Sequence, residues 1–171
     1  MSTPVMMIVT RLAKVTMVTA LAVYALIVAY DNIVDYGSNY EFVRHVLTMD
    51  TTFDASTLKY RAISNETMWR VAYALIIGAE GLTGLLLMFG AIALLKRLTA
   101  PAKIFNGSKI CAVVGLIVGF GLWFGGFMVI AGEYFAMWQS KVWNGQEAAF
   151  RITAIILGVL IYVTLPDDDL A

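Results

Sequence analysis

Four long apolar runs, separated by shorter polar stretches, set the pattern of this chain. They cover residues 15–30, 69–95, 110–132 and 148–165. A helix needs about 20 mostly apolar residues to cross a bilayer core that is roughly 30 Å thick. The runs therefore predict an all-α membrane protein with four transmembrane helices, which we interpret as one domain over residues 1–171. Because no small-residue cleavage site follows the first run, we expect a retained helix and not a signal peptide.

The polar stretch between the first and second runs is too long for a turn, and it predicts a short helix of its own. Ser38 and Glu41 have the spacing of a capping box, in which two side chains satisfy backbone amides at a helix start. Tyr40, Val43 and Leu47 then fall on one face. We expect an amphipathic helix that rests on the membrane surface or on the bundle. Residues 64–66 suggest a second cap just before the second run.

The composition agrees with a membrane protein and excludes several other classes. Hydrophobic residues make up 60% of the chain and charged residues 14%, whereas soluble domains have about 45–50% and about 25%. Twelve basic and twelve acidic residues leave a formal net charge of zero, so no basic field is available to bind nucleic acid. A single cysteine excludes an intramolecular disulfide framework and any cysteine-based zinc or iron–sulfur site.

The positions of Lys and Arg near the helix ends indicate an orientation. Both sides of the bundle carry six basic residues, but on the side of the termini they are concentrated in Arg11, Lys14 and the short link 96–109. Because cytoplasmic loops carry an excess of Lys and Arg, we expect both termini in the cytoplasm. Arg11 and Lys14 precede the first run, and we expect their side chains to snorkel to the membrane surface.

Several polar and aromatic strings outside the apolar runs resemble those of a known family. The most specific are Met49-Asp50-Thr51-Thr52 and Trp143-Asn144-Gly145-Gln146, and others lie at 31–32, 35–39, 133–135 and 137–139. Together they resemble a bacterial family described only as predicted small integral membrane proteins of unknown function, over nearly the whole chain. The resemblance implies a location in the bacterial inner membrane. It supplies no catalytic residue and no substrate.

Glu80 is the sharpest candidate for chemistry because it lies near the middle of the second run. An ionised carboxylate at that depth costs several kcal/mol unless it is neutralised or paired. Helical spacing puts Glu80 on one stripe with Gly81 and Gly84, which favours a position facing neighbouring helices. Two interpretations stay open. Glu80 is either a proton or cation site, or a structural, protonated side chain hydrogen-bonded to a Trp, Tyr or Thr on a neighbouring helix.

A second group of charges comprises Glu133, Glu147 and Arg151, near the turn between helices three and four. These helices are antiparallel, so Glu133 and Arg151 can meet, while Glu147 precedes Arg151 by one helical turn. A guanidinium at that depth needs a partner or a route to the surface. We expect a structural ion pair that ties helices three and four together.

The third run contains two small-residue motifs with the G-x-x-x-G spacing, Gly115/Gly119 and Gly121/Gly125. Such faces let helices approach closely and are a main source of helix association in lipid. With two faces of this kind, one can pack inside the bundle and the other against a second protomer or a partner. Packing of both faces within one protomer is the alternative.

No nucleophile–base pair, phosphate loop or metal-ligand set stands out, and we expect neither a metal nor a cofactor. We therefore favour a non-enzymatic membrane component, either an accessory subunit or a homo-oligomer. Its partners would be the lipid bilayer and other membrane proteins, with no nucleic acid. The alternative is a small channel or proton-linked carrier that uses Glu80, and an enzyme acting on a lipid or quinone ranks third.

Overall fold

The computed structural model describes residues 4–169, which contain helices and no strand. Four helical spans are long and apolar enough to cross a membrane: Pro4–Val34, Glu66–Lys96, Ala102–Tyr134 and Gln146–Thr164. A short helix lies between the first two spans. The predicted class, an all-α membrane protein with four transmembrane helices and a short helix between the first two, is confirmed.

We number the helices in chain order. The first three are α1 (Pro4–Val34), the short α2 (Tyr36–Thr48) and α3 (Glu66–Lys96). The third span consists of α4 (Ala102–Gly107), α5 (Ile110–Phe120) and a π-helical segment (Gly121–Tyr134), and the last span is α6 (Gln146–Thr164). Single 3₁₀ turns lie at Thr57–Arg61 and Met137–Gln139.

The first span is longer than the apolar run predicts, because Arg11 and Lys14 lie inside α1 instead of preceding it. The described part of this helix starts at Pro4. Arg11 is 0% exposed and Lys14 is 2% exposed. The expectation that these two side chains snorkel to the surface is therefore wrong, because both are covered by other parts of the chain.

The start of α2 also differs from the prediction. Asp35 precedes its first residue and makes no side-chain capping bond, and Ser38 lies within the helix. The capping box at Ser38 is wrong because α1 continues to Val34 and leaves a single residue before α2 begins. The cap before α3 is present, where the Asn65 side chain accepts a hydrogen bond from the Met68 amide at 3.1 Å.

The spans form an antiparallel bundle in which α3 packs on α1 and α5, and α6 packs on α5, the π-helical segment and α1. Glycines allow close approach. A Cβ at Gly90 would lie 2.5 Å from the Ala112 backbone nitrogen, and one at Gly84 would lie 2.6 Å from the Leu26 side chain. The core extends along the bundle, and its most deeply buried apolar residues include Val18, Ala22, Leu94, Phe105, Ala112, Leu116 and Val163.

A second apolar cluster covers one end of the bundle, which we call the α2 end. It joins Val46 and Met49 of the α2 region to Phe135, Ala136 and Met137, which follow the π-helical segment. The Thr51 hydroxyl donates to the Ser140 hydroxyl at 2.8 Å, which links the two loop regions. The opposite end holds both ends of the described chain, and we call it the terminal end.

Candidate functional site

Glu80 lies in the middle of α3 and faces the other helices, with 2% of its surface exposed. Its Oε2 atom accepts a hydrogen bond of 2.7 Å from the Asn32 amide nitrogen near the end of α1. The partner is thus an asparagine and not the Trp, Tyr or Thr that we expected on a neighbouring helix. The buried Thr83 and Thr153 hydroxyls have no hydrogen-bond partner in the described part of the chain.

A small polar network holds the Asn32 amide in place. Its oxygen accepts hydrogen bonds from the Asn39 amide at 2.6 Å and from the Tyr73 hydroxyl at 3.3 Å. The same hydroxyl lies 3.0 Å from the Asn32 backbone oxygen, and Tyr73 is 1% exposed. Because Asn32 accepts at its oxygen, its nitrogen is directed to Glu80. Helices α1, α2 and α3 therefore each contribute to positioning this carboxyl.

Glu80 also lines a cavity of about 240 Å³, which we call the Glu80 cavity. Its walls are largely aromatic and apolar, and their residues come from α1, α2, α3, the π-helical segment and the start of α6. No Lys, Arg or His is among the lining residues found within 4–169. The polar and aromatic lining residues include Tyr24, Asn32, Phe42, Tyr73, Trp123 and Phe127.

A groove of about 460 Å³ runs beside this cavity between α1 and α6, and we call it the side groove. Tyr24, Ala148 and Ile152 line both spaces, so the two adjoin. The side groove faces outward along the transmembrane surface, and its lining is almost wholly apolar apart from Arg151 and the Tyr24 hydroxyl. The Glu80 cavity therefore lies next to an apolar groove on the outer surface of the bundle.

Toward the terminal end, the bundle below Glu80 is closed. The space bounded by Thr83, Leu87, Leu116 and Ile156 holds no water-sized volume. Leu87 and Leu116 are 1% and 0% exposed, and Ile156 is 2% exposed. Within residues 4–169, the core directly below Glu80 is therefore packed on this side.

The predicted charge group is only partly brought together. Arg151 lies 3.4 Å from Glu147 within α6, and their side chains are 69% and 86% exposed. Glu133 is exposed and forms no salt bridge with Arg151 among the described residues. The contact within α6 does not link α6 to the preceding span. A stabilising role for these charges stays a prediction.

The two glycine motifs have different surroundings. A Cβ at Gly115 would meet Leu87 at 3.0 Å, and one at Gly119 would meet Thr83 at 3.0 Å, so this motif packs inside the bundle. A Cβ at Gly121 or Gly125 would meet nothing within 4 Å. The second motif lies in the π-helical segment and has no neighbouring helix within one protomer at these two positions.

Sequence reasoning missed a buried charge cluster at the terminal end. Lys14 and Lys109 lie 2.6 and 2.5 Å from one Asp167 oxygen, and all three side chains are at most 7% exposed. Arg11 donates to the backbone oxygens of Leu98, Ala100 and Asp168 at 2.7–2.9 Å. One feature of the sequence could have indicated this cluster. Arg11 and Lys14 are three residues apart and so share one face of α1.

Comparison with known proteins agrees with this architecture. Residues 10–166 match the family described as predicted small integral membrane protein (DUF2165). No curated protein matches the chain, and no solved structure matches it.

Proposed function

The chain belongs to this family of small integral membrane proteins, and from that premise we propose that it is a small proton-linked carrier with Glu80 as its titrating group. The observation that carries the proposal is the arrangement of the Glu80 carboxyl. One oxygen is held by Asn32 at 2.7 Å, while the side chain lines a cavity of about 240 Å³. Oε1 has no hydrogen-bond partner among the described residues, so it is available to a solute or a proton.

The surroundings of Glu80 favour a functional group over a purely structural one. Burying a carboxyl in a membrane span is costly, and such groups commonly mark proton or substrate pathways. A structural carboxyl would be expected to satisfy both of its oxygens within the protein. Here the polar network satisfies only one of them and directs the Asn32 amide at it. The other oxygen is left to the cavity.

The asymmetry of the bundle favours a carrier over a channel. The Glu80 cavity lies toward the α2 end, and the core toward the terminal end is tightly packed. A channel needs a continuous path, whereas alternating access needs a site that is open on one side and closed on the other. In this proposal the protein lies in the bacterial inner membrane, with both termini in the cytoplasm and the α2 end outside.

A flux measurement in proteoliposomes tests the carrier. A pH-sensitive dye inside the vesicles reports proton movement when a solute is added outside. Three probes of similar size represent the charge classes: trimethylphenylammonium, benzenesulfonate and the neutral isostere tert-butylbenzene. We expect at least one probe to move protons in the wild type and in Glu133→Gln, whose exposed carboxyl is outside the cavity lining. Glu80→Gln should move none, and an inactive wild type with all three probes would overturn the carrier.

A second candidate role, as a homo-oligomer or an accessory subunit of a membrane assembly, is favoured by a separate observation. Gly121 and Gly125 have open space where a Cβ would be, and small-residue faces of this kind let transmembrane helices associate. Extraction in mild detergent followed by native mass measurement tests this role. We expect a mass above one protomer in the wild type and a lower mass in Gly125→Leu. A wild-type mass of one protomer without any partner would exclude it.

A further inference from the structure

The charge of the Glu80 cavity points to the kind of molecule that it can hold. Glu80 is the only Asp or Glu among the lining residues, and no Lys, Arg or His from the described chain offsets it there. The nearest basic group on the adjoining side groove, Arg151, lies 3.4 Å from Glu147. An ionised Glu80 therefore needs a counter-charge from a ligand, because an unpaired charge in a poorly solvated site is strongly disfavoured.

The aromatic walls of the cavity also attract positively charged groups. Tyr24 and Trp123 form a corner, with ring centroids 6.0 Å apart and planes tilted by 51°. Phe42 and Phe127 form another part of the lining, with centroids 6.4 Å apart. Aromatic faces attract cations through the ring quadrupole, and cages of such rings bind quaternary ammonium groups. A carboxylate beside several rings thus suits an organic cation.

The volume indicates the size of the part of a cation that lies beside Glu80. At about 240 Å³, the cavity is larger than the ~150 Å³ cavity that accepts benzene. It is smaller than the ~300–1,000 Å³ typical of sites for drug-sized ligands. A compact cation with one ring fits this range. A single monocation also matches the single carboxylate.

The position of the cavity favours an apolar body on the ligand. Tyr24, Ala148 and Ile152 line both the Glu80 cavity and the side groove on the transmembrane surface. A molecule with an apolar body that lies in this groove would therefore lie next to the cavity. A strongly hydrated inorganic ion would have to leave its water to enter a cavity with largely apolar and aromatic walls, which is costly.

We propose that the Glu80 cavity binds a hydrophobic, single-ring organic monocation, with Glu80 as counter-ion and the Tyr24–Trp123 corner against the cationic group. The proposal names the substrate class of the carrier and rests on that proposed function for its physiological meaning. In the exchange, Glu80 gives one proton to water as the cation pairs with its carboxylate, so the charge in the cavity stays balanced.

Equilibrium binding to the full chain in mild detergent tests the proposal. The probe is radiolabelled trimethylphenylammonium, and the competitors are tert-butylbenzene, which has the same shape without the charge, and benzenesulfonate. We expect the labelled cation to bind the wild type and Glu133→Gln equally. Neither competitor should displace it at equal concentration. Equal displacement by tert-butylbenzene, or stronger displacement by benzenesulfonate, would overturn the proposal.

Two variants separate the roles of charge and ring. Glu80→Gln keeps an oxygen that can accept from Asn32, and we expect at least a tenfold loss of cation affinity. Tyr24→Leu replaces a ring that is 42% exposed and so does not disturb the core. We expect this variant to lower the affinity for the cation about three- to tenfold, in line with the loss of a single cation–π contact. If Glu80→Gln fails to fold, the Tyr24→Leu result decides, and unchanged affinity there overturns the assignment.

The binding and flux measurements test the two proposals separately, so one proposal can be overturned while the other stands. Cation binding without proton movement in proteoliposomes would overturn the proposed carrier function and support the proposed cation site. Proton movement driven only by benzenesulfonate or tert-butylbenzene, without cation binding, would retain a carrier and remove the organic-cation assignment.

Discussion

The buried charges at the terminal end give the sharpest prediction for stability. Within residues 4–169, Asp167 is the one acidic partner of Lys14 and Lys109, whose ammonium groups lie 2.6 and 2.5 Å from the same carboxylate oxygen. Its side chain is 5% exposed and those of the lysines are 3% and 7% exposed. Asp167→Asn removes the negative charge and keeps the shape. It should therefore leave two buried cations without a counter-ion.

The expected cost follows from these contacts. Breaking a buried ion pair by removing one partner typically costs about 3–5 kcal/mol. Both lysines keep the Leu165 backbone oxygen, at 2.8 and 2.7 Å, and Lys109 keeps the Asn106 side-chain oxygen at 2.7 Å. These carbonyl dipoles offset part of the loss. We therefore expect Asp167→Asn to lower the free energy of unfolding by about 3 kcal/mol, the lower end of that range.

The neighbouring residue provides a matched control. Asp168 is exposed, and Arg11 contacts its backbone oxygen at 2.7 Å, which Asp168→Asn retains. This control should change stability by no more than about 0.5 kcal/mol, as is usual for surface substitutions. The assay is reversible unfolding in mixed micelles with increasing dodecyl sulfate. Equal unfolding curves for the two variants would refute the reasoning.

A double-mutant cycle tests the pairing itself. Lys14→Met removes one of the two cations, so it should cost less in the Asp167→Asn background than in the wild type. Groups in direct contact show coupling energies of about 0.5–3 kcal/mol. Additive losses would mean that Lys14 and Asp167 do not interact energetically, whatever their separation.

Three further predictions concern other parts of the bundle. Gly119→Leu should destabilise the fold by about 1–3 kcal/mol, as overpacking usually does. Gly125→Leu should cost less, because no side chain of the same protomer lies where its Cβ would be. Equal losses would contradict the packing described. Ala55→Cys in a Cys111→Ser background should react with an impermeant maleimide in intact spheroplasts, and labelling only after lysis would reverse the orientation. Arg151→Gln should cost no more than about 1 kcal/mol, because exposed ion pairs contribute little, and a larger loss would indicate a further partner.

Hydropathy alone predicted the number and order of the spans, because a helix that crosses a bilayer must be apolar over most of its length. It misplaced the start of α1 because Arg11 and Lys14 looked like residues at a helix end. Both residues lie inside α1, and the segment that follows α6 contacts and helps to bury their side chains. Lys14 and Asp167 are 153 positions apart, and no local pattern connects residues at that separation.

The candidate site was predictable in part. Glu80 stood out because carboxyls are rare in apolar spans. Its partner Asn32 is 48 positions away, and polar residues near the end of an apolar run have many possible roles. The Glu80 cavity could not be predicted either, since a cavity depends on how far α1 and α6 separate and not on any one helix. The π-helical segment from Gly121 to Tyr134 has no signal in the apolar pattern.

The most direct test of the central claim, that Glu80 exchanges a proton for a solute, is proton release on binding. Purified protein in weakly buffered detergent is mixed with saturating trimethylphenylammonium while a pH-sensitive dye is followed. We expect the wild type and Glu133→Gln to release up to one proton for each cation bound, and Glu80→Gln to release none. Cation binding by the wild type without any proton release would contradict the account, because Glu80 would then act only as a fixed charge.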